Sequence, residues 1–95
     1  MITLTKSAQN FLEGNLSNSP TGTKGIRLGL RDAGCSGFAY TFDFTNVENN
    51  DDQIFTFDDI KIYISEKFMA ALHGTEIDYV TQGVNSVLQF NNPNV

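Results

Sequence analysis

Two stretches of strict apolar and polar alternation constrain the fold of this chain most. Ile26, Leu28 and Leu30 alternate with charged residues and glycine, and a stripe of aromatic residues then repeats the same period from Phe38 to Phe44. A period of two places alternate side chains on opposite faces of a strand. We therefore predict two strands joined by Asp32 to Gly37, with the aromatic stripe packed into a core.

The remaining segments contain shorter patterns, some typical of helices and some typical of strands. Apolar residues at helical spacing predict a helix from Thr5 to Leu16, with Thr5 as its N-cap. Ser65 is predicted to cap a second, short helix through Leu72, with a stop at Gly74. Four further β segments are predicted, at residues 53–57, 60–64, 75–81 and 86–90.

These elements predict an α+β, β-rich fold: two small packed sheets with short helices at their edges. At 95 residues the chain fits one domain, residues 1–95. Eight Phe and three Tyr supply enough aromatic surface for one modest core. The acidic stretch from Val47 to Asp52 is expected to be a solvated loop. The Asn-rich segment from Asn91 to Val95 is expected to leave the fold without closing it.

The charge balance excludes several classes of partner. The formal net charge is -5, and nucleic-acid binding requires clustered Lys and Arg that the sequence lacks. The same charge disfavours anionic membrane surfaces, and no apolar run approaches the length of a membrane span. The first residues show no secretory signal. We expect a cytoplasmic protein, or an organelle matrix protein whose leader has been removed.

A lone cysteine, Cys35, lies between Gly34 and Gly37 in the predicted connection. A thiolate is the species that binds metals or attacks electrophiles. Two glycines would let backbone N–H groups point toward the sulfur, and three cations (Lys24, Arg27 and Arg31) precede it closely. Two alternatives remain open: Cys35 as a buried apolar filler, and a catalytic pair with the lone histidine, His73.

Four separated motifs together carry a resemblance to a known family: GIRLGL (25–30), GCSGFAY (34–40), GTEIDYV (74–80) and NPN (92–94). They resemble the A-type iron-sulfur carriers, the HesB/IscA-like group. The resemblance implies a compact β-sandwich-like fold, homodimers or tetramers, and transfer of iron or an iron-sulfur cluster to apo-proteins without enzymatic catalysis. It also implies that Cys35 is the first ligand cysteine, both cofactor-binding and metal-binding.

The sequence departs from the family pattern at its end. Members of the family usually continue past the Asn-Pro segment into a Cys-Gly-Cys tail, whereas this sequence ends at Val95. Iron-sulfur clusters normally take four cysteine thiolates, and a symmetric dimer of this chain supplies two. Glutathione or thiols of another protein would then complete a [2Fe-2S] or [4Fe-4S] cluster. Oxygen or nitrogen donors are the weaker option, and His73, Glu76 and Asp78 are the candidates.

Two functions follow, and they belong to different classes. The first is an iron-sulfur cluster assembly carrier in which Cys35 from two subunits holds the cargo, with cluster donors and apo iron-sulfur proteins as partners. The second is an adaptor that keeps the family's fold, has lost its metal chemistry and acts through protein contacts.

Overall fold

The computed structural model describes residues 1–94, apart from the side chain of Ser36. Its elements are two α-helices, seven strands and two 3-10 helices at Gly34–Ser36 and Glu66–Phe68. The α-helices are α1 (Lys6–Ser17) and α2 (Met69–Leu72). The strands are β1 (Thr3–Leu4), β2 (Gly25–Asp32), β3 (Phe38–Thr45), β4 (Asp52–Phe57), β5 (Ile60–Ser65), β6 (Glu76–Gln82) and β7 (Asn85–Asn91).

Helix α1 begins where its sequence predicts. The Thr5 hydroxyl accepts a hydrogen bond from the Ala8 backbone N–H at 3.1 Å, which satisfies one of the free donors of the first turn. Ala8 and Leu12, four residues apart, are the buried side chains of this helix. Of the helices in residues 1–94, none has the length and apolar character needed to cross a membrane.

The strands form two sheets, as the predicted fold class requires. One sheet has the order β3-β2-β5-β4 and the other the order β1-β6-β7. Most neighbours are antiparallel, but β2 pairs with β5 in parallel and β1 pairs with β6 in parallel. The β2–β3 hairpin is in register from Gly25 opposite Thr45 to Asp32 opposite Phe38. This register places Cys35 in the short connection at one end of the hairpin.

The core lies between the two sheets and α1. Its buried side chains are mainly Ile and Leu and come from both sheets and both helices. Aromatic rings connect the sheets: Tyr40 of β3 stacks on Phe90 of β7 with ring centroids 4.7 Å apart, and Phe42 meets the same ring edge-on at 5.5 Å. The two-sheet architecture predicted from the alternating patterns is confirmed.

The aromatic stripe of β3 is only partly in this core, contrary to the prediction. Tyr40 and Phe42 are half-buried beneath Phe90, whereas Phe38 is 73% exposed and Phe44 is 45% exposed. The reason is geometric: β3 is a sheet edge, and Phe90 covers the middle of its apolar face. The two ends of the stripe therefore present apolar surface to solvent.

Two local predictions need correction. Ser65 does not cap the segment that follows it; its hydroxyl donates to the Asp51 carboxylate at 2.6 Å, and the segment starts as a 3-10 turn. Asp52 is not a solvated loop residue but the first residue of β4, and its side chain is fully buried. The short connection between β4 and β5 contains Asp58, which has a positive φ of 53°.

Candidate functional site

The connection that carries Cys35 is built by the residues around it. The Asp32 carboxylate accepts a hydrogen bond from the Gly34 N–H at 2.8 Å, and the Gly37 carbonyl accepts one from the Ala33 N–H at 2.7 Å. Gly34 and Gly37 have φ angles of 69° and 90°, and a Cβ atom at either position would meet no other atom within 4 Å. Glycine is therefore required here by backbone conformation and not by space.

Cys35 is the middle residue of this turn and is exposed. A cysteine that fills a core is enclosed by apolar neighbours. The interpretation of Cys35 as a buried filler is therefore wrong. Its sulfur is open to a ligand, a metal ion or another protein.

The predicted supply of positive charge at Cys35 is largely absent. The Arg27 guanidinium binds both oxygens of the Asp52 carboxylate, at 2.7 and 2.8 Å, and also donates to the Val47 carbonyl at 2.9 Å. At about 3.3 Å per residue, Arg27 lies roughly 16 Å along β2 from Asp32. Lys24 lies farther still, where its N–H donates to the Thr45 carbonyl. Of the three cations, Arg31 alone is close to the turn, opposite Ala39.

A cavity of about 750 Å³ opens beside the turn, and Gly37 and Phe38 form part of its wall. Tyr40 and Phe68 contribute two further aromatic rings, and Lys67 is the one charged residue among those described around it. The Phe68 ring rests on β2, because a Cβ atom on Gly29 would lie 3.2 Å from its Cε2 atom. The cavity combines apolar walls with one cation.

The Asn-Pro segment borders the same cavity through Asn92 and Asn94. The Asn92 amide donates to the Ala71 carbonyl at 2.9 Å, and the Asn94 amide donates to the Ala71 and His73 carbonyls at 3.2 and 2.7 Å. These bonds satisfy carbonyls at the end of α2. The prediction that this segment leaves the fold is therefore wrong as far as Asn94, and Val95 lies outside the described residues. The Cys35 turn and the end of the described chain thus border one cavity.

The weaker donor candidates are occupied by structural contacts. His73 Nδ1 lies 2.7 Å from the Met1 amine, Asp78 accepts from the Thr5 hydroxyl at 2.7 Å, and Glu76 accepts from the Asn91 amide at 3.2 Å. Within residues 1–94, no group of three or more His, Cys, Asp or Glu side chains is placed to hold a metal ion.

Comparison with known proteins settles the family. A family model described as iron-sulphur cluster biosynthesis matches residues 1–95. The chain belongs to this family. The iron-binding protein IscA of Proteus mirabilis (strain HI4320) is 45% identical over 94 residues, which cover 99% of this chain and 87% of that protein. The iron-binding protein IscA of Xenorhabdus nematophila is 44% identical with the same coverage.

Solved structures confirm the fold of this iron-sulphur cluster biosynthesis family member. The crystal structure of Escherichia coli SufA, involved in biosynthesis of iron-sulfur clusters, superposes with a TM-score of 0.84 and 31% identity. It covers 99% of this chain and 87% of SufA. The crystal structure of IscA with the [2Fe-2S] cluster superposes with a TM-score of 0.85 at 21% identity, over 99% and 86% of the two chains. The family resemblance read from the four motifs is confirmed.

Sequence reasoning missed the cavity and the burial of Asp52. The cavity brings together three stretches of the chain, residues 30–40, 67–71 and 92–94, which are separated by more than 20 positions from one another. No local pattern encodes such a meeting. One signal in the sequence pointed toward a partner such as Asp52. Arg27 is a cation within a strand, and its charge needs a partner once the aliphatic part of its side chain is covered.

Proposed function

We propose that this member of the iron-sulphur cluster biosynthesis family binds iron or an iron-sulfur cluster through Cys35 and passes this cargo to apo-proteins. The observation that carries the proposal is the exposure of the Cys35 thiol on a turn held by Asp32 and two glycines. An exposed thiolate can both bind a metal and yield it to a competing thiolate. Relatives 45% identical to this chain are named iron-binding proteins, which supports iron as the cargo.

In the proposed carrier the load is shared between two copies. Residues 1–95 contain one cysteine, and a cluster normally takes four thiolates. In a two-fold dimer two Cys35 thiolates would face one cargo. Phe38, three residues after Cys35 and 73% exposed, offers apolar surface for such a contact. Added thiols, from glutathione or another protein, would complete the set.

A small ligand set of this kind suits transfer. A recipient protein with several cysteines would replace the Cys35 thiolates one at a time, with no covalent bond to carbon made or broken. The proposal therefore assigns a carrier and not an enzyme. It also places the 95 residues, as one HesB/IscA-like domain, in a reducing compartment such as the cytoplasm or an organelle matrix, where an exposed thiol stays reduced.

Anaerobic reconstitution tests the proposal. The wild-type chain and Cys35→Ser are incubated with iron, sulfide and glutathione, and visible absorption is recorded after desalting. We expect a chromophore with the wild type and none with Cys35→Ser, and we expect the chromophore to move to an added apo-ferredoxin. Equal loading of both chains would overturn the role of Cys35. A folded, dimeric wild type that takes up no iron under any thiol condition would favour the adaptor alternative.

A further inference from the structure

Strand β7 is the free edge of its sheet. It is the last strand in the order β1-β6-β7, and among residues 1–94 it pairs with β6 alone. Its register with β6 is unbroken from Asn85 to Asn91, and it contains no proline. An edge strand of this kind presents a row of backbone N–H and C=O groups that a further strand can bind.

The hydrogen bonds of β6 show which backbone groups of β7 face outward. The Ile77 carbonyl accepts a hydrogen bond from the Thr5 N–H at 3.0 Å, so it points toward β1 and away from β7. Ile77 lies opposite Phe90, and bonded and non-bonded positions alternate along an antiparallel pair. Phe90, Leu88 and Ser86 are therefore at non-bonded positions. Their N–H and C=O groups point to the free edge.

This edge lacks the charged side chains that oppose pairing with another chain. In the other sheet, the edge strand β3 carries an exposed carboxylate at Asp43, and the edge strand β4 ends in a turn with Asp58 and Asp59 exposed. Residues 79–95, in contrast, contain no charged side chain. The edge of β7 is therefore the one that can pair without bringing a charge into the contact.

Charge also favours a second copy of this chain as the occupant. Two copies with a net charge of -5 each repel one another, so they associate best where no carboxylate faces another carboxylate. A contact of β7 with β7 meets this condition, because both sides of it come from the uncharged stretch.

We propose that two copies of the chain pair through β7, antiparallel about a two-fold axis at Leu88. In this register Leu88 exchanges two hydrogen bonds with Leu88 of the second copy, and Ser86 exchanges two with Phe90 of the second copy. Every outward-facing group of the three residues is then paired. A shift by two positions would leave groups at one end without a partner. The joined sheet has the order β1-β6-β7-β7-β6-β1.

The same register brings a projecting apolar side chain to a depression. Val84 is 100% exposed at the tip of the β6–β7 hairpin, four positions before Leu88. Asn92 lies four positions after Leu88 and borders a shallow depression together with Gly74 and Pro93. A two-fold axis at Leu88 therefore places each Val84 at the depression of the other copy. This match does not depend on the hydrogen bonds that select the register.

The contact is separate from the contact around Cys35. The Tyr40 ring stacks on Phe90, and β3 begins a few residues before Tyr40, beside the Cys35 turn. The turn thus lies beyond the Phe90 end of β7. Two copies joined at Leu88 hold their Cys35 turns at opposite ends of the joined sheet, where both stay free for cargo. The β7 contact goes beyond the proposed function and stands or falls without it.

Sedimentation equilibrium of an iron-free Phe38→Ser chain tests the β7 contact, because this substitution removes the exposed ring beside Cys35. We expect this chain still to form a dimer. Adding Val87→Lys should weaken the dimer on the order of tenfold, since a lysine on an edge strand opposes pairing. Ile54→Lys is the matched control: Ile54 and Val87 are each 40% exposed on an edge strand, and the change of charge is the same. Its dimer should be unchanged.

Two outcomes of this experiment would overturn the proposal. One is a Phe38→Ser chain that stays monomeric at every concentration. The other is an equal loss of dimer affinity for the two lysine substitutions, with circular dichroism showing that both variants are folded.

A disulfide cross-link tests the register independently of charge. Val87 would lie opposite Gln89 of the second copy at a non-bonded pair, where Cα atoms are about 4.5 Å apart and within reach of a disulfide. Val87→Cys and Gln89→Cys, each combined with Cys35→Ser, are mixed and incubated with oxidised glutathione. We expect a covalent dimer from the mixture and much less from either chain alone. No cross-link in the mixture, or equal cross-linking of one chain alone, would contradict the pairing about Leu88.

Discussion

Arg27 and Asp52 form a two-pronged ion pair that joins β2 to the start of β4 across 25 residues of sequence. The Arg27 side chain is 27% exposed, whereas the Asp52 side chain is fully buried. The Asn49 backbone N–H donates to the same carboxylate at 2.7 Å, so the pair also holds the acidic loop against β2. The pair directs one of the six cations of the chain away from Cys35 and into the framework.

Removing Arg27 should destabilise the fold. Arg27→Ala leaves the buried Asp52 carboxylate without its cation, which costs about 3 kcal/mol for buried pairs. Urea unfolding measures the loss. Arg31→Ala is the matched control, because Arg31 lies on the same strand face and is exposed; its effect should stay within about 0.5 kcal/mol. Equal effects of the two substitutions would show that the pair adds nothing to stability.

The same pair predicts a pH dependence. Hydrogen bonds from Arg27 lower the pKa of Asp52 below its ordinary value of 3.8, although burial acts in the opposite direction. The unfolded chain therefore binds a proton at Asp52 more readily than the folded chain does. This contribution to stability is present above pH 3.8 and is lost as the pH falls through the lower pKa of the folded state.

Unfolding free energies measured between neutral and strongly acidic pH check this dependence. Asp52→Asn should remove part of the fall in stability below pH 3.8, because the titrating group is gone. Asp59→Asn, in the exposed β4–β5 turn, should keep the wild-type profile. A profile for Asp52→Asn that parallels the wild type would contradict the assignment.

The strands could be predicted because an alternation of apolar and polar residues depends only on neighbouring positions. The alternation at Ile26, Leu28 and Leu30 is a property of one segment, and in β2 the first two of these side chains are buried and Leu30 is half-buried. Gly25 and Gly29 on the opposite face are buried as well. The glycines around Cys35 likewise predicted a turn, and Gly34 and Gly37 have positive φ. Exposure of Phe38 depends instead on where β7 places Phe90, about 50 residues away, and no periodicity within β3 encodes it.

The same distinction applies to the site. Cys35 could be nominated because its motif is short and contiguous. The cavity beside it depends on Phe68 lying over Gly29 and on Asn94 binding carbonyls of the α2 segment, and both are tertiary contacts. The prediction of cations around the thiol was wrong for a related reason. Residues that are near each other in sequence along an extended strand can lie far apart in space.

Two glycines outside the site should respond oppositely to a methyl group. A Cβ atom on Gly25 would overlap the Lys61 carbonyl oxygen and lie 2.8 Å from Tyr63 Cε1, so β2 and β5 would have to separate. Gly25→Ala should cost about 2 kcal/mol. Gly14 lies within α1, and a Cβ there would meet nothing within 4 Å. Gly14→Ala should stabilise by about 0.5 to 1 kcal/mol. Denaturant unfolding compares the two, and changes of the same sign would contradict the structure.

Substitution at Cys35 should leave stability unchanged. The side chain is exposed, so Cys35→Ser removes no buried contact and should change the free energy of unfolding by less than about 0.5 kcal/mol. Thermal unfolding by circular dichroism, in the presence of a reductant, measures this. A midpoint lowered by about 4 °C or more would imply a buried role for the sulfur and would contradict its place on the surface.

The two exposed rings at the ends of β3 allow a specific dimer contact to be distinguished from a general effect of surface hydrophobicity. Phe38 lies beside Cys35 and Phe44 at the opposite end of the same strand, and both rings are exposed. If two copies meet around Cys35, Phe38→Ser should weaken the dimer on the order of tenfold, because a central aromatic contributes most to such contacts. Phe44→Ser removes a similar ring and should leave the dimer unchanged. Sedimentation equilibrium on the iron-free chains measures both constants, and iron bound per chain should fall only for Phe38→Ser. An equal loss of dimer affinity in both variants would show that the contact runs along the whole β3 edge and is not centred on Cys35.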